Sequence, residues 1–542
     1  MSARLDLIAI GRALVDLYGE QVGGRLEDMG SFAKYVGGSP TNTAIGAARL
    51  GLSAGLITRV GGDHFGRFIA EELAREGVDV SGVTSDPARL TGLALLGIRD
   101  AERFPLVFYR RDCADMALSE ADIDPALIAR ADAVVLSGTH LSTEAVSKAS
   151  LKAARLAKVA SGKVAFDIDY RPVLWGVAPQ DAGETRFVAD AAVTARLSGA
   201  AALADLIVGT EEEFQILGGA DEPIAALQAV RRQTDALLVC KRGPLGAVAF
   251  PGAVGADFDS GIARAGVTIE VFNVLGAGDA FMAGFLRGWL RDEPLETALD
   301  WANACGALVV SRHGCAPAMP SWTELMAFLN DGPWPTRLRD DARLAHLHWA
   351  TTRKPDWPEL FVRTLDGGPA PDGGAGVGVL AEGEADLLAL YAAADRRLWL
   401  GRRLDDRADL RDWPLTHVAV VYAAGQGSAA LIEIAAACRA TRHELMLETT
   451  DGAATMARVY ALGVRPDWWA VDADADWPAV SATLAAADPH CRGVLVVGGG
   501  SGAVAAAREP CVRGFIGPAA GFAERIEAWR TTKAAAMAEP VA

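Results

Sequence analysis

The sequence predicts two α/β units in tandem: a doubly wound parallel sheet over residues 1–330 and a reduced TIM-barrel-like (β/α) domain over residues 360–542, joined by a linker over 331–359. Three observations carry that prediction. Short apolar runs alternate with helix-period segments through the first unit. A second set of eight such runs begins near residue 360. Between the two sets, Gly332-Pro333-Trp334-Pro335 and Lys354-Pro355-Asp356-Trp357-Pro358 punctuate a polar stretch. A chain of 542 residues, 51% hydrophobic and 22% charged, has material for more than one globular core.

In chain order, the first unit offers strands at Leu5–Ile10, Gly55–Val60, Ala133–Leu136, Val164–Ile168, Asp205–Val208 and Ala236–Val239. Helix patterns lie between them at Thr41–Leu50, Phe65–Arg75, Thr143–Val159 and Pro223–Gln233. Segments 17–36 and 91–112 interrupt the rhythm with alternating residues, as in Leu93–Ile98 and Pro105–Tyr109. They are too short for crossover helices, so they predict a small β-lid over the sheet edge. The second unit offers strands at Leu360–Leu365, Val377–Leu380, Leu398–Leu400, His417–Tyr422, Glu444–Leu447, Trp468–Val471, Gly493–Val497 and Arg513–Ile516. Eight strands alternating with helices predict a barrel, at the small end of that fold's range. The Gly- and Pro-rich run Asp366–Gly376 predicts a loop in place of the first barrel helix.

The chemistry is concentrated in Asn273-Val274-Leu275-Gly276-Ala277-Gly278-Asp279-Ala280-Phe281, which runs into a helical segment. A small-residue turn opening a helix aims unpaired N–H groups and the positive end of the dipole at one point, a ready anion site. Asp279 sets a carboxylate beside it. An anion hole next to a base that accepts a hydroxyl proton is the minimal equipment for phosphoryl transfer to an alcohol. Gly37-Gly38 precede the helix near Thr41 and permit close backbone approach, and Asn42 offers donor and acceptor to a polyol. Asp16 follows the first strand, where open α/β sheets bind ligands. Phe166-Asp167-Ile168-Asp169-Tyr170-Arg171, Gly209-Thr210-Glu211-Glu212-Glu213 and Lys241-Arg242-Gly243-Pro244-Leu245-Gly246 place further polar groups at successive strand ends. No G-x(4)-G-K-[ST] sequence is present, which excludes a P-loop kinase.

A net charge of −17 argues against nucleic acid or an anionic membrane as partner, so an anionic substrate needs local basic groups. The seven cysteines contain no CxxC pair, so neither a zinc site nor a disulfide framework is indicated. The first apolar run is broken by Asp6, Arg12 and Asp16 and reads as a strand rather than a signal peptide, and no stretch approaches a membrane span. A cytoplasmic protein is expected; self-association into a homo-oligomer is left open.

On Gly37-Gly38 with Asn42, and on Gly276-Ala277-Gly278-Asp279, residues 1 to about 330 resemble the ribokinase-like (phosphofructokinase-B type) carbohydrate kinases. The resemblance implies a ribokinase-like sheet, ATP and Mg2+ as cofactors, and Asp279 as base with the Gly276, Ala277, Gly278 and Asp279 amides as anion hole. It implies that Asp16, Gly37, Gly38 and Asn42 hold the sugar. Lys241, Gly243, Gly246 and Asn303 then belong to the nucleotide side. Glu212 matches the acidic residue of the family's N-x-x-E magnesium motif, with Gly209 where Asn is usual. Three strings, Phe108–Leu118, Phe166–Trp175 and Ser311–Pro320, resemble most the 5-dehydro-2-deoxygluconokinase branch. Its substrate is a small sugar acid; Arg111 and Arg171 are the expected contacts of its carboxylate, because a guanidinium matches a carboxylate, and Asp169 is a further expected substrate-binding residue. A 2-keto-3-deoxygluconate kinase is the alternative.

Residues 340–542 resemble a barrel fused to some of these kinases and related to class I aldolases, on Ala350–Leu360, Ala437–Ala440 with His443–Glu448, and Gly463–Trp469. A Schiff-base aldolase needs a lysine inside the barrel. The only one after the linker is Lys533 in the C-terminal tail, and the histidines lack HxH spacing, so a non-catalytic barrel is expected over a bifunctional kinase–aldolase. Gly498-Gly499-Gly500-Ser501-Gly502, after the seventh strand, is a candidate phosphate turn.

Overall fold

The computed structural model describes residues 4–538 apart from 101–102, 181, 355, 366–375, 382–397, 405–409, 411–417 and 499–505. Two compact units are present, Met1–Lys354 and Pro355–Ala542.

The first unit is built on a nine-stranded sheet. In chain order its strands are β1 (Leu5–Ile10), β4 (Ala54–Gly61), β5 (Asp79–Asp86), β8 (Ala131–Ser137), β9 (Lys163–Asp167), β10 (Leu206–Thr210), β11 (Leu237–Lys241), β12 (Ala247–Phe250) and β13 (Ile262–Arg264), while β2 (Leu14–Gly19), β3 (Phe32–Gly37), β6 (Gly92–Leu96) and β7 (Leu106–Tyr109) form a separate sheet. The spatial order is β13-β12-β11-β10-β9-β8-β1-β4-β5, parallel from β5 through β11, with β12 and β13 added antiparallel. β1 shows why a central strand reads as a continuous apolar run. Its Leu7 and Ala9 enter the core on one face, and Ile8 and Ile10 enter the core on the other. β5 and β13 escape the sequence pattern, since edge strands bury little and need no long apolar run; β12, though buried throughout, has an apolar run of only four residues.

The smaller sheet, in order β3-β2-β6-β7, is the expected β-lid. Its alternation is visible in β6, where Gly92, Ala94 and Leu96 are buried and Leu93 and Leu95 only partly so.

Residues 331–354, expected within the linker, are folded as part of the first unit. A helix at Ala342–Thr352 buries Leu344 and Leu347. Glu324, fully buried, pairs with Arg312 and lies 2.7 Å from His348 Nδ1, tying this helix to Trp322–Asn330. The polar stretch was legible; the apolar stripe within it was too narrow to announce a helix.

The second unit is a closed parallel barrel of eight strands, β14 (Phe361–Thr364), β15 (Val377–Ala381), β16 (Trp399–Leu404), β17 (Val418–Ala423), β18 (Glu444–Thr449), β19 (Trp468–Asp472), β20 (Gly493–Val497) and β21 (Val512–Gly517). Closure is by parallel pairing of β14 with β21. Trp399, Trp468, Met446 and Ile516 fill the interior. Cβ atoms at Gly378 and Gly401 would lie 2.9 and 2.5 Å from the Trp399 ring, so these glycines make room for it. The loop expected over 366–376 and the turn expected at 498–502 fall almost wholly outside the described residues.

Candidate active site

An open cavity lies at the carboxyl ends of the parallel strands of the first unit, the usual ligand position in a doubly wound sheet. Lid residues Leu14, Asp16, Ala94, Leu96, Leu106 and Phe108 wall one side.

The anion turn forms one end. Gly276 caps the helix Ala277–Trp289 with φ 84°, left-handed backbone, and a Cβ there would lie 2.9 Å from the Cys315 side chain. Asn273, completely buried, accepts from the Leu275 N–H at 3.1 Å and donates to the Gly314 carbonyl at 3.4 Å, which pins the turn from behind. The N–H groups of Gly278 and Asp279 belong to the first helical turn and have no intrahelical acceptor. Asp279 Oδ2 accepts from Asn42 Nδ2 at 2.8 Å. Burial, and secondarily the nearby Asp169 carboxylate, push the Asp279 carboxyl up to about 6 against the pull of Asn42, Ser39 and Arg12.

Glycines at 37 and 38 are required by contact. A Cβ on Gly37 would lie 2.2 Å from the Asp16 carboxylate. Gly38 has φ 103°, and its Cβ would lie 2.5 Å from the Arg12 carbonyl oxygen. Asp16 is buried and pushed up to about 7, by burial first and by Asp279 as the repelling neighbour. Asn42 is buried too, with its Oδ1 unpartnered.

Asp169, just beyond β9, has φ 32°, unusual for a residue with a side chain, and several bonds hold it there. Its carbonyl accepts from the Thr139 N–H at 3.1 Å, and its Oδ2 accepts from Ser137 Oγ at 2.7 Å and Arg12 Nη2 at 3.0 Å. Burial opposes its charge; the Arg12 and Arg171 guanidiniums win and hold the carboxyl below its ordinary value. Arg171 lines the cavity and donates to the Tyr170 carbonyl at 3.1 Å.

Also on the cavity wall, Lys241 Nζ sits 3.3 Å from Asp167 Oδ1 and 3.6 Å from Glu213 Oε2. A Cβ on Gly278 would lie 3.4 Å from that ammonium, so the lysine charge adjoins the anion turn. Burial drives the Asp167 carboxyl up to about 7 despite the lysine. Lys241 itself is raised, because Asp167 and Glu213 outweigh its own burial.

Several expected site residues lie elsewhere. Arg111 is exposed in the turn after β7 and does not line the cavity; its neighbour Arg110 turns inward and pairs with Asp115 at 2.6 Å. Glu212 is exposed, and Glu213 lines the cavity in its place. The cause is local: a capping box between Thr210 and Glu213 folds Glu213 back over the strand end and leaves Glu212 facing out. Gly243 and Gly246 shape the turn from β11 into the antiparallel edge and lie outside the cavity lining, as does Asn303, which donates to the carbonyl of Ala265 at 3.2 Å. Asp167, Glu213 and Arg12 are cavity residues not singled out in the sequence. The strand-end position of Asp167 was the available signal; Arg12 was masked by looking like a charge that merely broke an apolar run.

Residues 4–322 match the model of the pfkB family carbohydrate kinases, and the chain belongs to that family. It is similar to 5-dehydro-2-deoxygluconokinase of Halalkalibacterium halodurans, 37% identical over 333 residues that cover 60% of this chain and 94% of the relative. The enzyme of the same name from Lacticaseibacillus casei is 37% identical over 61% of this chain and 97% of its own. Among solved structures, fructokinase from Vibrio cholerae O395, with fructose, ADP and calcium bound, superposes with a TM-score of 0.50 at 27% identity over 60% of this chain and 99% of its own. Residues 370–538 match a family described as an uncharacterized protein conserved in bacteria (DUF2090). Among the described residues, no helix is long and apolar enough to cross a membrane.

Proposed function

We propose that the first unit phosphorylates 5-dehydro-2-deoxy-D-gluconate on its terminal hydroxyl, with ATP as donor and Mg2+ as cofactor. The observation that carries the reaction type is Asp279 beside the Gly276–Asp279 turn, at one end of a cavity walled by the lid. The substrate is supported by the two 5-dehydro-2-deoxygluconokinases matched over nearly their whole length, and the nucleotide by the fructokinase holding ADP.

In this reading Asp16 and Asn42 hold sugar hydroxyls, and Asn42 also orients the Asp279 carboxylate. Asp279 accepts the proton of the attacking hydroxyl as the oxygen–phosphorus bond forms. The amides of the turn and the Lys241 ammonium receive the charge that develops on the transferring phosphoryl group. Mg2+ bound with the nucleotide would neutralise phosphate charge. Asp167 and Glu213 fit it chemically, being hard oxygen donors at the cavity wall, and Glu212, the motif position, is exposed. Arg171 supplies positive charge for the substrate carboxylate. The lid excludes water that would otherwise compete for the phosphoryl group.

The barrel is not a lysine-dependent aldolase in this reading. Lys533 Nζ donates to the Val512 carbonyl at 2.6 Å, at the amino end of β21, opposite the end where barrel enzymes hold their chemistry.

The test is ADP release from ATP across a panel of deoxy-keto sugar acids and neutral ketoses. Preferred turnover of 5-dehydro-2-deoxygluconate is the expected outcome. Preference for 2-keto-3-deoxygluconate or a neutral sugar overturns the substrate assignment.

A further inference from the structure

Arg12 lies between β1 and β2, is buried, and forms part of the cavity wall. Its Nη2 donates to Asp169, yet Nε and Nη1 are closed off from solvent and have no partner. A guanidinium carries five N–H donors, and burying them unmet is costly. Asp169 does not supply the missing acceptors, because the oxygen that faces Arg12 also accepts from Ser137.

Charges of both signs act on this corner. Burial lowers the Arg12 pKa first; Asp169 and, more weakly, Asp279 raise it, while the Arg110 and Arg171 guanidiniums lower it. Arg110 Nε donates to Asp115, although its Nη2 is buried without a partner as well, and Arg171 Nη1 donates to the neutral Tyr170 carbonyl. Elsewhere the cavity wall is acidic, with Asp16, Asp167, Glu213 and Asp279. An anionic ligand is repelled along most of the wall and finds unmet donors at Arg12.

We infer that Arg12 receives the carboxylate of the sugar-acid substrate, donating an N–H that no protein group accepts, and that it selects acids over neutral sugars. This rests on the sugar-acid reading above. It adds to the positive charge of Arg171 a direct contact from a residue in the first strand–strand connection of the chain, remote in sequence from Arg171.

The experiment compares full-length wild type with Arg12→Met and Arg12→Lys, using 5-dehydro-2-deoxygluconate and its C1 amide as paired substrates. In the methionine variant, KM for the acid is expected to rise about 30-fold more than KM for the amide or for ATP, the loss of one charge-assisted bond. The lysine variant, which keeps a charge facing Asp169, is expected to lose acid-over-amide preference by a smaller factor. Equal losses for acid and amide in the methionine variant overturn the inference and leave Arg12 as a positioning residue for Asp169. Should that variant not fold, a lysine variant with the wild-type acid-to-amide ratio overturns it instead. A wild type that turns over no sugar acid overturns the underlying function, and this inference with it; wild-type turnover with an unaltered ratio in the variants overturns the Arg12 assignment alone.

Discussion

In the proposed reaction Asp279 combines two requirements that conflict in water: it must be ionised to accept a proton, and basic enough to want it. Burial and the neighbouring Asp169 lift its carboxyl to about 6, which satisfies both near neutral pH. Asp279→Asn is expected to lower kcat by roughly 10²–10⁴ with KM for ATP little changed, a loss typical of removing a general base. Steady-state kinetics on both substrates checks it. The sign of the pH dependence follows from the base being active when deprotonated: kcat/KM for the sugar should fall as pH drops through about 6. Asp16 and Asp167, both pushed up to about 7, titrate in the same window, so the acid limb belongs to the cluster rather than to one residue. A profile flat down to pH 4, near the ordinary range of a solvated aspartate, would contradict the burial of this group. Legibility varied from residue to residue. Asp279 and Lys241 were readable because each ends a strand or opens a helix. The exchange of Glu212 for Glu213 was not readable, because a one-residue rotation on a helix depends on its cap.

At the scale of elements, the anion turn depends on how two segments approach each other. Gly276 has left-handed backbone against Cys315, whose Sγ is 2.9 Å from the Tyr18 hydroxyl under the lid. Gly276→Ala adds a methyl 2.9 Å from Cys315 and left-handed strain of about 1–2 kcal/mol. It is expected to lower the melting temperature and to reduce kcat more than KM for ATP, because the displaced amides act mainly on developing charge. Thermal unfolding with parallel kinetics checks this; wild-type turnover in a folded variant would show that the turn tolerates movement. The lid was readable as a pair of alternating segments. Its order β3-β2-β6-β7, with β2 and β6 parallel, was not, since register and neighbour choice come from pairing between distant segments.

At the scale of the whole molecule, the kinase relatives are matched over 94–97% of their lengths by about 60% of this chain. All site residues lie within Met1–Lys354, a compact unit with its own cores. A protein ending at residue 354 is therefore expected to fold and phosphorylate the substrate; a folded, soluble truncation without activity would show that the barrel unit supports the kinase. Ending at 331 instead removes the helix Ala342–Thr352 and strips buried Glu324 of its His348 neighbour, which is expected to destabilise the unit. For the barrel, borohydride with the phosphorylated product should trap no adduct between residues 360 and 530, a span without lysine, as peptide mass mapping would show.

By itself the sequence determined both α/β units, the eight barrel strands, the glycine turn that opens the helix at Asp279, and the lack of a barrel lysine. Each is local: a periodicity, a small-residue turn before a helix, or a residue count. Only the tertiary structure decided which charges turn inward and which meet solvent. Arg110 rather than Arg111 turns inward, Glu213 rather than Glu212 reaches the wall, and Arg12 emerges beside Asp169, 157 residues away along the chain. The physical reason is that a charged side chain's role depends on its partners and burial, and both are set by segments far apart in the chain.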